Sequence, residues 1–242
     1  MDDDYGRSYR DLYRRHWWWR AREDLIVDIL LHRLPAAARR RVLDVGCGDG
    51  VFFDRLEALG AEVRGIEPDE SLVSKDGKHR SKIHVGAFDD AFETREPFSL
   101  VTMLDVLEHM ADPSAALRRA REVVEPHGWW LFTVPAFPML WTQHDVLNHH
   151  YARFTKRTLR ALLRSAGLDA MRLEYFFHWL VPLKLAVRLK ERVRAAAPAA
   201  PRVPATVINR TCYWISRGER ATVGRPGVLP GSSLLAYGRF PA

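Results

Sequence analysis

The stretch VLDVGCGDG, Val42 to Gly50, puts glycines at 46, 48 and 50 directly behind an apolar, β-branched run. Glycine lets a backbone turn tightly and approach a ligand with no Cβ in the way. The amides of a following helix would then point at that ligand. The dinucleotide fingerprint G-x-G-x-x-G is met at Gly46 and Gly48 and fails at Val51. Asp44 stands just before the first glycine, where it would repel a pyrophosphate and tolerate a cationic or zwitterionic ligand. Cys47 lies inside the turn with no evident base, which speaks against a nucleophilic thiol. The other residues suited to chemistry are histidines, which titrate nearest neutral pH. His109 closes DVLEH, and His144, Asp145, His149 and His150 crowd WTQHDVLNHHY. Their chemistry would be proton removal from an acceptor, with His109, His144 and His149 as candidate bases. Their spacing fits no familiar metal-ligand pattern, so no metal is expected. Trp141 and Tyr151 could flank an acceptor or equally pack in the core, and Arg153 joins them as a candidate acceptor contact.

Such residues need strand ends and loops to hold them. RRRVLDVGCGDG reads as a buried strand turning into the helix VFFDRLEALG, with Gly60 as its stop. EVRGIEP, KIHVGAF and PFSLVTMLD read as the second, third and fourth strands. DPSAALRRAREVVEPHG reads as a helix with Asp112 at the N-cap and Pro113 at N1. WWLFTVP is a fifth strand, TKRTLRALLRSAG a helix capped by Thr155 and stopped by Gly167, LDAMRLEYF a sixth strand and SSLLAYGRF a closing one. Strand and helix alternate, which argues for a parallel sheet with helices on both faces. Ligands of such sheets bind outside the carboxyl ends of the strands, the end where the candidate residues fall.

With this loop and sheet order the chain resembles the class I S-adenosylmethionine-dependent methyltransferases. HWWWRARED, VLDVGCGDG, DVLEHMADP, PAFPMLWTQHDVLNHHYARFTKRTLRALLRSAG and LPGSSLLAYGR occur in that order and look like a bacterial group of that superfamily, of type 11/type 23 character, found among cell-envelope, glycan and lipid biosynthesis genes. The chain departs from the group at Tyr151 and Ala152, where basic residues are usual. The resemblance implies a Rossmann-like, seven-stranded, mostly parallel sheet with the last strand antiparallel. It implies S-adenosyl-L-methionine as cofactor, held by Asp44, Gly46, Cys47 and Gly48. Glu67, in GIEP before Pro68, would hold both ribose hydroxyls, a task suited to a two-oxygen acceptor. Ala87 and Phe88 would pack on adenine, Asp89 would accept from its amine, and Asp105 and Val106 would lie near the methyl group. The implied reaction is methyl transfer to an oxygen, before nitrogen or carbon, of a small-molecule, glycan or lipid-linked acceptor. It needs in-line alignment, exclusion of water and removal of a proton. The alternatives are a non-catalytic cofactor-binding scaffold and, disfavoured by Val51, an NAD-dependent oxidoreductase.

Two stretches remain. In HWWWRARED, Trp17 to Trp19 precede a helix whose apolar face is Leu25, Ile26, Ile29, Leu30 and Leu34. One or two of these indoles, Trp18 first, would roof the cleft beside the acceptor; the plain alternative is a satellite core under the helix. The segment 178–231 reads as a basic helical insertion between the sixth and seventh strands of a domain spanning 1–177 and 232–242. From 178 to 225 ten Lys/Arg stand against Glu191 and Glu219, a net of +8, so the rest of the +7 chain sums to −1. FHWLVPLKLAVRLKERVR and ATVINRTCYWISRGER read as its helices and RAAAPAAPRVPA as a linker. Apolar residues interleave there with Lys184, Arg188, Lys190, Arg192 and Arg194. That pattern suits either a lid or a helix lying on an anionic membrane; no nucleic-acid motif accompanies the charge. MDDDYGRSYR has no apolar h-region, two cysteines are too few for a disulfide framework, and no 18-residue apolar run exists. The expected location is therefore cytoplasmic, with a peripheral place at the inner face of the membrane as its variant.

Overall fold

The computed structural model describes residues 10–193, 202–222 and 230–241. Seven strands form one sheet: β1 (Arg41–Val45), β2 (Glu62–Glu67), β3 (Ile83–Val85), β4 (Phe98–Leu104), β5 (Val124–Pro135), β6 (Asp169–Phe176) and β7 (Ser233–Arg239). Their spatial order is β3-β2-β1-β4-β5-β7-β6. The first five run parallel, and β7 runs antiparallel to both β5 and β6, as expected from sequence. The order reverses between β1 and β4, so the loops after these two strands diverge and open a crevice.

Period-2 alternation divides the core in two. Val42, Leu131 and Leu235 face the layer holding α1 (Trp17–His32), with Ile26, Ile29 and Leu30. Leu43, Trp130 and Leu234 face the layer holding α3 (Pro113–Val123) and α5 (Lys156–Ser165), with Leu117, Leu159 and Leu163. The short α2 (Phe53–Glu57) follows β1, and α4 (Gln143–Leu147) follows β5. Between β6 and β7 lie α6 (Leu180–Val193) and α7 (Thr206–Glu219). Residues 1–9, the linker part 194–201 and residues 223–229 of the Gly/Pro stretch lie outside the described residues.

Caps follow the sequence. Asp112 accepts from the Ser114 amide with Pro113 at N1, Thr155 accepts from the Thr158 amide, and Gly167 adopts φ +74° beyond α5. Four boundaries differ. α3 stops at Val123 instead of running to Gly128, because Pro126 lacks an amide donor and disfavours helix in the residue before it. The chain there enters β5 early, with His127 at φ +60° and a register shift between Phe98 and Leu100. Only five residues of VFFDRLEALG close α-helical turns. The three tryptophans lie inside α1, because His16 serves as its N-cap and accepts from the Trp18 amide at 3.1 Å. A helical turn, Gln143–Leu147, also forms within WTQHDVLNHHY, closed by a Thr142/Asp145 capping box.

The Asp112 cap is expected to be worth about 1 kcal/mol. Asp112→Ala should lower the melting temperature by about 2–4 °C, read by differential scanning calorimetry, with little effect on ligand binding.

Candidate active site

The glycine loop turns at the carboxyl end of β1 with Gly46, Gly48 and Gly50 at φ +73°, +55° and +67°. A Cβ on Gly46 would come within 2.5 Å of Val106 Cγ2, so the loops after β1 and β4 touch directly. Four of the loop's amides are consumed internally. Gly46 and Cys47 donate to the Ile66 carbonyl at 2.8 and 3.2 Å, Gly48 to Glu67 Oε2 at 2.8 Å, and Gly50 to the Cys47 carbonyl at 3.0 Å. These four amides are therefore engaged within the protein. Cys47 is buried with its sulfur against β2, where burial, then Asp44 and Glu67, raise its pKa well above the usual thiol value. Any ligand contact at Cys47 falls to its backbone.

Carboxylates take the place that phosphate-binding amides would hold. Asp44 is buried near the end of β1 and accepts from the Thr102 hydroxyl at 2.6 Å. Burial raises its pKa to about 6 against the opposing pull of Thr102 and Arg22. Glu67, buried at the end of β2, accepts one backbone N–H on each oxygen, from Gly48 and from Asp69 (3.0 Å). Each oxygen keeps a lone pair for a further donor, and burial raises this pKa too. Asp105, at φ +58° after β4, accepts from Thr133 Oγ1 at 3.1 Å. Glu108 is buried with no hydrogen-bond partner for Oε2 among the described residues. Burial and then Asp105 hold its pKa well above the carboxylate range. Pro68, Ala87 and Asp89 are exposed along the same edge; Asp89 accepts from the Ala91 amide, and Phe88 leans on Phe92.

One cation answers this cluster, and sequence reasoning did not single it out. Arg22 of α1 is 3% exposed; it donates to Asp105 Oδ2, to the Leu104 carbonyl at 3.2 Å and to the Tyr13 hydroxyl at 3.1 Å. Trp18 covers its guanidinium at 5.1 Å and packs on Phe177. Trp17 lies in the seam with Phe177 and Trp179, and Trp19 stands edge-on to His16 and Trp18. The sequence did carry a signal for Arg22: it shares the i, i+4, i+7 face of Ile26 and Ile29, and a charge on a buried stripe requires a partner.

The histidines part company. His109 reaches the surface beside His150, ring centroids 4.6 Å apart and perpendicular. The desolvated side of its ring, then His150, lower its pKa to about 4. His150 contacts Asp145 Oδ1 through Nδ1 at 2.9 Å, and Asp145 is fully buried. Burial alone would raise the Asp145 pKa; the contacts to His150 and Arg153 and the Thr142 amide override it and hold it well below the carboxylate range. Arg153 grips both Asp145 oxygens at 2.8 and 3.1 Å and donates to the Ala136 carbonyl at 3.0 Å, which makes it a buried anchor. Ligand atoms of Glu108, His109 and His150 lie within 4.8 Å of one another, a grouping that spans two loops. His144 and His149 are exposed, His149 at φ +54°, and His144 contacts Asn148. Tyr151 is 66% exposed, its amide donating to the Glu108 carbonyl at 2.7 Å, and Trp141 is half-buried. Lys184 of α6, half-buried, joins the site from the insertion; burial, then Arg153, lower its pKa to about 8.

The sequence profile of the methyltransferase-domain family matches residues 18–173. A ubiquinone biosynthesis O-methyltransferase from Paraburkholderia phymatum is 32% identical over 149 residues, covering 53% of this chain and 64% of that one. Another, from Pseudomonas syringae pv. tomato, is 36% identical over 152 residues, 54% and 66% of the two chains. The match thus spans slightly less than two thirds of these relatives' own length. Among solved structures, an S-adenosylmethionine-dependent methyltransferase from Thermotoga maritima superposes with a TM-score of 0.59 at 16% identity, covering 97% of each chain. One from Archaeoglobus fulgidus gives 0.55 at 16%, covering 90% and 94%.

Two outcomes follow for the site. Arg22→Met should destabilise the protein by about 3 kcal/mol, the cost of leaving a buried charge unanswered, seen in urea unfolding at neutral pH. Asp44 binds its proton more tightly folded than unfolded, so ionising it costs stability as pH rises from about 4 to 6. The difference in unfolding free energy between wild type and Asp44→Asn should therefore shift toward the variant by about 3 kcal/mol across that window and level off above it.

Proposed function

Because the chain belongs to the methyltransferase-domain family, we propose that it is an S-adenosylmethionine-dependent enzyme and transfers a methyl group to an oxygen of a small-molecule acceptor. The observation that carries this reading is the gathering of buried Asp44 and Glu67 at the ends of β1 and β2 with half-buried Asp105 after β4, the last held by Arg22. Their excess negative charge suits a cationic ligand and opposes a pyrophosphate. The residues present therefore fit the cofactor, which when bound supplies a methyl group on a sulfonium for in-line displacement.

Each residue then has a task. Glu67 takes the ribose hydroxyls on its remaining lone pairs, and Asp44 faces the positive end. Ala87, Phe88 and Asp89 border the adenine, and Asp105 with Val106 shapes the methyl side. Trp18, stacked on Arg22, closes the cleft against water. His109 is neutral at pH 7 and can take the acceptor's proton, with His150 and Asp145 fixed behind it. Lys184 faces the acceptor from above. Oxygen as the acceptor atom is supported by the names of the relatives. A glycan or lipid-linked acceptor, and a cytoplasmic place at the inner face of a membrane, extend the reading on the strength of the basic insertion.

Titration calorimetry tests it. S-adenosylmethionine and its demethylated product should both give heat, NAD none, and Glu67→Gln should weaken both at least about tenfold, the worth of a charge-assisted hydrogen bond. His109→Ala should leave that affinity in place while lowering turnover of a hydroxylated acceptor about 10²-fold or more, followed as S-adenosylhomocysteine release. Heat from NAD alone would overturn the assignment.

A further inference from the structure

The two helices of the insertion are built inside out. α6 turns its polar side to the protein: Lys184 faces the site, Arg188 donates to the carbonyls of Pro138 (3.1 Å) and Met139, and Glu191 accepts from the Gln143 amide at 3.1 Å. Its opposite side carries Leu185, Ala186, Leu189 and Val193 at i, i+1, i+4 and i+8, an apolar stripe open to solvent. α7 repeats the arrangement. Asn209 and Tyr213 face α1, through the Trp17 amide (2.8 Å) and Asp24 (2.5 Å), while Ser216 holds the Trp179 indole at 3.0 Å. Val207, Ile208, Trp214 and Ile215 face outward, Trp214 58% exposed.

Charge is sorted in the same way. The acids of the two helices, Glu191 and Glu219, are turned inward onto the amides of Gln143 and Trp179. Arg217 and Arg220 are paired with Asp24 and Asp28 of α1. Lys190, Arg192 and Arg210 remain exposed, and no carboxylate among the described residues pairs with them. Both helices also lie outside the 18–173 stretch shared with the family. Solvent does not reward such a surface, and a partner rich in carboxylates would leave its apolar stripes uncovered.

We propose that the outward faces of α6 and α7 dock on an anionic lipid bilayer, apolar stripes at the acyl boundary, Trp214 at headgroup level and the three free cations on anionic headgroups. The inference rests on the methyltransferase reading only for its purpose: α6 borders the acceptor side through the bonds of Arg188 and Glu191 to residues 138–143 after β5, so docking would bring that opening to acceptors held in the bilayer.

Vesicle flotation of the full chain tests it without any acceptor. Binding is expected to phosphatidylcholine vesicles containing phosphatidylglycerol, not to phosphatidylcholine alone, with release at about 0.5 M salt, where the Debye length is only a few ångströms. The triple change Lys190→Glu, Arg192→Glu, Arg210→Glu should lower partitioning at least about tenfold. Leu189→Asp with Trp214→Ser should do the same, with unfolding temperatures near wild type showing that both variants fold. No binding at low salt, or equal binding to neutral vesicles, overturns the proposal. A concentration-dependent dimer by sedimentation, abolished by Leu189→Asp, reassigns the surface to a second copy and overturns it too. Cofactor calorimetry on the same preparation separates the readings: heat without flotation sinks only the docking, flotation without heat only the methyltransferase reading.

Discussion

Carboxylates gathered at the ends of β1, β2 and β4 repel one another, and burial raises the cost of every charge they keep. The guanidinium of Arg22 makes the gathering tolerable: it reaches Asp105 directly and lowers the pKa values of Asp44 and Glu108 from farther off. That requirement fixes where α1 lies. The helix must cross the carboxyl end of the sheet to deliver Arg22, and its neighbours must then keep water off the guanidinium. Trp18 covers its face and Tyr13 takes a donor, while Trp17 seals the adjoining seam against Phe177 and Trp179. Three consecutive indoles on a helix point in three directions, and each direction here has an occupant.

The insertion depends on the same helix. α7 grips α1 through Asp24 and Asp28, and α6 sits on the loop between β5 and α4. Arg188, Arg217 and Arg220 are thus internal glue, while Lys190, Arg192 and Arg210 stand exposed on the two helices. A helix normally buries its apolar stripe and solvates its polar one; α6 and α7 reverse this because the surfaces they pack on, the polar edge of α1 and the carbonyls of Pro138 and Met139, ask for donors.

Most of the sheet was legible because strand signals are local. Alternating apolar residues, glycine stops and the Asp112 and Thr155 caps each act within a few positions. Glu67 and Asp44 were legible as a pair at successive strand ends. What stayed hidden depends on partners distant in sequence. Arg22 finds its acceptor 83 positions away. The Arg153–Asp145 grip turns a presumed acceptor contact into a structural pin. Gly48 spends its amide on Glu67, so the loop also braces β1 against β2. The end of α3 was locally readable at Pro126; helical periodicity simply outweighed it in the reading.

The site also divides its protons. Burial pushes Asp44 up to about 6 and Glu108 well above the carboxylate range, so the cofactor side holds protons that solvent would have taken. Desolvation of one side of its ring pushes His109 down to about 4, so this imidazole refuses a proton that solvent would have given. One cause, loss of water, works in opposite directions on acids and bases because in each it disfavours the charged form. A cation arriving beside the acids reverses the bias there, favouring their ionised forms, while the neutral His109 imidazole keeps an open lone pair. Charge and base are thereby prepared side by side in the loop after β4, where the strand order of the sheet reverses.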